Sequence, residues 1–249
     1  MGIVIALVNQ KGGVGKTTTA AILSQAAAYK GARVLAIDID PQANFSLAMG
    51  AQISAGTGNS YNMFTGDPAA DQIQRTAQGV EMIPAGRGLA TLTTGKGSAR
   101  RLQEALDPIR GVFDVIIIDT PTMGGELQYN AMLAADLLLI PLEADIYNIQ
   151  SLYQTMDTAR QIRQSNSRLE AGFIINKYRG QTNIDRQRQD MLIDKGIEAG
   201  AQYLGTVRQA VAVKEAALLR KSLYEYAPKS NPAREYMDIF NAITNNKYI

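Results

Sequence analysis

Short runs of consecutive apolar residues recur along the chain, separated by longer stretches with helical spacing. The runs are Ile3–Val8, Arg33–Ile39, Val80–Pro84, Val112–Asp119, Leu138–Leu142 and Leu169–Asn176, with a weaker one at Tyr203–Val207. Most are apolar on successive positions rather than alternate ones. Strands read this way when both faces are covered, and helices between them imply that they run parallel. The pattern predicts an α/β fold, a doubly wound, mostly parallel sheet with helices on both faces. Gly31 follows the helical stretch Thr17–Lys30, where a glycine closes a helix. Gly50–Ser60, rich in Gly, Ala, Ser and Thr, reads as a loop. With no repeat or long linker, a single domain over residues 1–249 is expected. The first strand begins by residue 3, which leaves no room ahead of it for a helix-turn-helix unit.

Composition narrows the chemistry. None of the 249 residues is Cys or His. That excludes disulfides, Cys-ligated zinc, iron–sulfur clusters, thiol nucleophiles and a Ser-His-Asp triad. Lys, carboxylates, hydroxyls, backbone amides and oxygen-bound metal remain. Lys+Arg of 25 against Asp+Glu of 23 gives a net charge of +2, so only the distribution of charge could point to nucleic acid. The best apolar stretch, Ala131–Leu142, is interrupted by Asp136 and falls short of the roughly 18–20 residues a membrane helix needs. Met1–Val8 has no basic leader and runs into Asn9-Gln10; Ala6 stands where myristoylation wants Ser or Thr. A cytoplasmic protein is expected.

The strongest local signal is Gly12-Gly13-Val14-Gly15-Lys16-Thr17-Thr18, entered from the run Ile3–Val8. The general phosphate-loop pattern places Gly, four residues, then Gly-Lys-Ser/Thr; here Gln10 occupies the first Gly position. The mechanism survives that departure. Glycines let backbone N–H groups turn inward around phosphate oxygens, and the helix starting near Lys16 points its positive end there. Lys16 is placed to reach the β- and γ-phosphates, Thr17 to ligate Mg²⁺ and Thr18 to touch the α-phosphate. A second lysine, Lys11, lies upstream of the glycines. Asp38 and Asp40 end one apolar run and Asp119 ends another, at the strand ends where ligands sit in such sheets. A carboxylate beside a triphosphate calls for metal or water handling.

These segments together resemble one family. Lys11-Gly12-Gly13-Val14-Gly15-Lys16-Thr17-Thr18 is similar to the deviant Walker A motif of the ParA/MinD ATPases. Asp38-Ile39-Asp40-Pro41-Gln42-Ala43-Asn44 resembles the family's Asp-x-Asp-Pro-Gln segment, and Ile117-Ile118-Asp119-Thr120-Pro121 its Walker B strand end. Ile140-Pro141-Leu142, Asn176-Lys177-Tyr178 and Tyr226-Ala227-Pro228-Lys229-Ser230 fall where Soj/ParA members carry similar segments. The resemblance covers nearly the whole chain. It implies a DNA-partition ATPase with ATP and Mg²⁺ as cofactors. Asp40 would position the attacking water close to the metal shell, Asp119 would bind a metal-coordinated water, and Asp38 would support the shell or the loop. Asn176 would pair with the adenine edge. Lys11 would cross a dimer interface to the partner's nucleotide and act like an arginine finger. A homodimer that forms with ATP, a ParB-like centromere-binding partner that stimulates slow hydrolysis, and a nucleoid-associated location are implied as well.

Two segments are more basic than the chain as a whole. One holds Arg160, Arg163, Arg168, Lys177, Arg179, Arg186 and Arg188; the other holds Arg208, Lys214, Arg220, Lys221, Lys229 and Arg234. Arg179, Arg186, Arg208, Lys214, Arg220 and Lys221 are the candidate contacts to duplex DNA, made to phosphates and therefore nonspecific and salt-dependent. Soj-like members carry a basic residue three positions before the Glu-Ala pair matched by Glu215-Ala216; here it is Ala212. The alternative reading is a MinD-like membrane-associated positioning ATPase. The last helical stretch, Pro232–Thr244, carries Tyr236, Ile239, Phe240 and Ile243 at helical spacing. It also contains Glu235 and Asp238, and only Lys247 follows. Membrane-surface helices want basic polar faces, so docking on the core is expected and stable membrane association is not.

Overall fold

Among the described residues eight strands form one sheet: β1 (Ile3–Leu7), β2 (Val34–Asp38), β3 (Gln74–Arg75), β4 (Glu81–Ile83), β5 (Val115–Asp119), β6 (Leu137–Glu143), β7 (Glu170–Tyr178) and β8 (Gln202–Arg208). Their order is β3-β4-β2-β5-β1-β6-β7-β8. Every neighbouring pair is parallel except β3–β4. This computed structural model describes residues 2–54, 57–92, 98–122, 124–145 and 147–245. Lys247 and Ala55-Gly56 of the expected loop lie outside them.

The helices are α1 (Lys16–Tyr29), α2 (Asn44–Met49), α3 (Ser60–Thr65), α4 (Arg101–Leu106), α5 (Glu126–Ala134), α6 (Tyr147–Arg163), α7 (Asn183–Glu198), α8 (Val211–Leu218), α9 (Leu223–Tyr226) and α10 (Asn231–Asn245). Successive residues of a strand face opposite sides, and both sides are filled. Ile3, Ile5 and Leu7 join a core with α1, α2, α8, α9 and α10, through residues such as Leu23, Phe45, Ala216, Leu223 and Tyr236. Val4, Ala6 and Val8 join the opposite core with α3–α7, through Phe64, Leu102, Met132, Leu152 and Leu192. The unbroken apolar runs have this two-sided burial as their cause, and the expected doubly wound fold is the one observed.

The differences lie at the ends of elements. Val112 is 45% exposed in a short 3-10 turn, and β5 begins only at Val115. β7 runs on to Tyr178, beyond the apolar run. β3 was not expected; two residues at a sheet edge leave no hydrophobic signature. Gly31 does close α1, at φ +81°. Tyr236, Ile239, Phe240 and Ile243 of α10 are all buried, so its apolar stripe is consumed by the core. A buried ion pair of Arg110 with Asp136 anchors the start of β1: Asp136 accepts from Val4 N at 2.8 Å, and Arg110 Nε donates to the Gly2 carbonyl at 3.3 Å.

Candidate functional site

Parallel register builds the site. β5 lies between β1 and β2, and Asp119 is level with Leu7 on one side and Asp38 on the other. The two carboxylates therefore end adjacent strands just where β1 opens into the glycine loop. Past β1, the buried Asn9 sets the loop's course. Its Nδ2 donates to Pro141 O at 2.8 Å, its Oδ1 accepts from Lys11 N at 2.8 Å, and its carbonyl accepts from Lys16 Nζ at 3.0 Å. Gly13 and Gly15 have φ of +79° and +94°, the left-handed region that favours glycine. At Gly15 space forbids a side chain as well, since a Cβ would lie 2.3 Å from Asn176 Nδ2.

Buried charge concentrates around the first turn of α1. Thr17 Oγ1 donates to Asp119 Oδ2 at 2.6 Å, while Asp119 Oδ1 is buried without a partner among the described residues. Burial and the neighbouring Asp38 push the Asp119 carboxyl up to about 8, against the pull of Thr17 and Lys16. Burial raises Asp38 to about 6, although Ser46 N, Ser46 Oγ and Asp40 N all donate to it. Asp38 is thus a brace that holds the turn after β2 and the start of α2. Asp40 is half-buried, with Oδ1 accepting from Gln42 N at 3.0 Å. Burial lowers the Lys16 ammonium, with Asp119 and Asp40 opposing.

An orphaned, deeply buried carboxylate oxygen next to a hydroxyl is an unfavourable arrangement on its own. Desolvating a carboxylate costs on the order of several kcal/mol unless a cation or donor compensates. The arrangement suits a divalent cation or its bound water. Among the described residues no group of three or more acidic side chains converges to hold a metal alone. Mg²⁺ is commonly held by one or two carboxylates together with substrate phosphates, so Thr17 and Asp119 beside a phosphate cradle fit it. The cradle is Gly12, Gly13, Val14, Gly15, Lys16, Thr17 and Thr18, at the N-terminus of α1.

Lys11 stands apart from this buried cluster. Its Nζ lies 3.4 Å from Asp145 Oδ2 and 5.9 Å from the Tyr147 ring centre. Such a partly exposed pair is worth at most about 1 kcal/mol, so the ammonium is free to leave. Asn176 is buried against the loop: Nδ2 donates to Val14 O at 3.0 Å, and Oδ1 accepts from Lys177 N at 2.9 Å and Tyr236 OH at 3.4 Å. Beyond it, the ends of β7 and β8 border a cavity of about 530 Å³ lined in part by Tyr178, Arg179, Arg208, Gln209 and Lys214.

The six candidate DNA contacts do not form one cluster. Arg179, Arg208 and Lys214 share that cavity, with Arg179 on Gln209 and Arg208 on Glu235. Arg186 projects from α7. Arg220 and Lys221 follow the far end of α8, where the Arg220 carbonyl accepts from Gln78.

Residues 2–171 match the AAA domain family. The chain is 31% identical to the sporulation initiation inhibitor protein Soj of Bacillus subtilis, over 99% of this chain and 100% of that one. It is 34% identical to the chromosome partitioning protein ParA of Caulobacter vibrioides, over 95% of this chain and 91% of that one. The chain belongs to the ParA/Soj family of P-loop ATPases. Its fold superposes on an ATP complex of Cyanothece McdA with a TM-score of 0.86 at 22% identity, covering 100% of this chain and 98% of that one.

Several residues of the ParA/Soj site escaped the sequence reading. Asn9, Ser46, Glu143, Asp145 and Tyr236 were given no part in it. Lys177 figured as part of the Asn176-Lys177-Tyr178 segment and among the basic residues but had no role at the site, yet its Nζ donates to the Gly13 carbonyl and to Glu143 Oε1, the latter at 2.7 Å. Gly13 and Lys177 are 164 positions apart, and no local spacing could have joined them.

Proposed function

We propose that this protein is a DNA-segregation ATPase that dimerises on ATP, binds duplex DNA nonspecifically and is switched off by slow, partner-stimulated hydrolysis. The observation that supports it most is the divided set of lysines. Lys16 is buried among carboxylates, inside the cradle, whereas Lys11 sits outside it on a weak tether. One protomer's Lys16 neutralises part of a triphosphate's charge, and a second protomer's Lys11 supplies more. Nucleotide then favours the dimer, and loss of the γ-phosphate releases it.

In this reading ATP and Mg²⁺ are the cofactors. Lys16 and Lys11 offset charge on the transferring phosphoryl group, Thr17, Asp40 and Asp119 serve the metal and its waters, and Asp40 orients the attacking water. Asn176 keeps the Val14 carbonyl with one N–H of its amide and offers the other to the adenine edge. Arg179, Arg186, Arg208, Lys214, Arg220 and Lys221 meet DNA phosphates. The partner is a ParB-like centromere-binding protein, and the site of action is the cytoplasm, on the nucleoid. The name of the ParA relative, a chromosome partitioning protein, supports the segregation role. The buried stripe of α10 disfavours the MinD-like alternative, and liposome flotation with ATP is expected to leave the protein in solution.

Sedimentation velocity with ATP, ADP or no nucleotide, with and without duplex DNA, tests the proposal. Asp40→Ala, which removes the water-positioning carboxylate, should be a dimer in saturating Mg·ATP and a monomer otherwise. DNA should be retained only in the dimeric state. A variant that stays monomeric in Mg·ATP defeats the reading.

A further inference from the structure

The end of β7 closes over the phosphate loop with two adjacent residues. Asn176 Nδ2 takes the Val14 carbonyl, and Lys177 Nζ takes the Gly13 carbonyl. The register of β6 on β7 sets Glu143 level with Asn176, and Glu143 Oε1 receives Lys177 Nζ at 2.7 Å. Lys177 pays for this reach in its backbone, at φ +53°, a conformation that side chains rarely adopt. Such a conformation persists only where the surroundings enforce it, and it clusters at sites with a task. Here the enforcement comes from the ammonium's two partners and from Lys177 N, which donates to Asn176 Oδ1.

A phosphate cradle works when its N–H groups face inward, which requires its carbonyls to face outward. The Gly13 carbonyl belongs to the same peptide unit as the Val14 N–H. An ammonium on that carbonyl both fixes the unit's orientation and polarises the N–H into a stronger donor. Asn176 does the same for the next unit, Val14 carbonyl and Gly15 N–H, without charge. We propose that Lys177, held by Glu143, is a positioning residue of the nucleotide site that acts through the Gly13 carbonyl. The proposal rests on reading the loop as a phosphate site.

Calorimetric titration with Mg·ADP, which avoids both hydrolysis and the dimer, reads the effect, alongside melting of the nucleotide-free protein. Lys177→Gly removes the ammonium and relieves the left-handed backbone. The Lys177 and Glu143 side chains are 44% and 36% exposed, so water screens the contact; the variant's Mg·ADP affinity should fall about three- to fivefold, while the melting temperature holds or rises. Glu143→Gln should weaken binding in the same direction by less, and Lys177→Arg should retain most of it. Wild-type affinity in Lys177→Gly overturns the proposal. So does a loss that tracks a lower melting temperature and is not restored by Lys177→Arg. Tighter binding by Glu143→Gln also overturns it, because a freed Lys177 would then be touching phosphate directly. Should Lys177→Gly not fold, the Glu143→Gln result decides alone. A wild-type chain that binds no Mg·ADP removes the phosphate-site reading instead, a separate failure.

Discussion

The loop end of the sheet and the surface built by α7, β8 and α8 are both rich in charge, and they hold it in opposite ways. At the loop end Lys16, Asp38, Asp119 and Asn176 are buried, each tied to a named atom. On the other surface α7 buries only Leu192 and Gly196 and α8 only Ala216, and the cations spread outward. Buried charge is directional and intolerant of change, because each group depends on one geometry. Exposed charge is additive and tolerant, because water and salt screen each group alike. The first region suits chemistry, and the second suits a polyanion met at no fixed register.

The largest break in this contrast should come at Gly15. Gly15→Ala combines a left-handed φ with a Cβ driven into the Asn176 amide. It should destabilise the fold by on the order of 2–4 kcal/mol and abolish nucleotide binding, read by melting and Mg·ADP titration. Gly12 lies three residues earlier and behaves differently: among the described residues a Cβ there would have only Thr122 Cγ2 near it, at 3.8 Å. Gly12→Val should fold and bind Mg·ADP as the parent does, yet fail to dimerise with ATP in gel filtration. A stable ATP dimer of Gly12→Val would contradict the close approach proposed for that loop.

Next in size is pH. Unfolded aspartates titrate near 3.9. Asp119 and Asp38 titrate higher in the folded chain, so the native state keeps protons that the unfolded state has released. Their contribution to stability is present below about pH 4. It declines as pH rises, through about 6 for Asp38 and about 8 for Asp119. The nucleotide-free protein should therefore melt several degrees lower at pH 8 than at pH 5, on the order of 2–4 °C for each kcal/mol. Asp119→Asn should flatten the curve; an unchanged slope would show that burial of Asp119 is not its source.

Smaller effects belong to the outer surface. Arg186→Ala should leave Mg·ADP affinity untouched and lower the salt slope of ATP-dependent DNA binding by about one unit. Arg208→Ala is the less clean choice, because Arg208 also holds Glu235. The smallest change expected is at Arg220, whose φ of +53° falls just past α8. Arg220→Gly should raise stability by roughly 0.5–1 kcal/mol while removing one cation from the surface.

The same contrast explains what could be read in the sequence. Two-sided burial wrote β1, β2, β5 and β6 as unbroken apolar runs, and the glycines with Lys16-Thr17 marked the left-handed turn ahead of α1 because that signal is local. β3 is too short to carry a pattern. The end of β7 was missed because Lys177 and Tyr178 are polar in character and take their places from distant partners. Asp38 was legible as a strand-end carboxylate, but its role as a brace depends on Ser46, which only α2 brings back to it. Tyr236 was legible as one member of an apolar stripe, and nothing in that stripe showed what its hydroxyl meets.

That hydroxyl lies 3.2 Å from Thr19 Oγ1 and donates to Asn176 Oδ1. A residue of the last helix therefore touches both the first turns of α1 and the residue that holds the cradle. Deleting α10, even though it looks like mere packing, would slacken the glycine loop more than 200 positions earlier in the chain, and a reporter is better inserted where it spares α10.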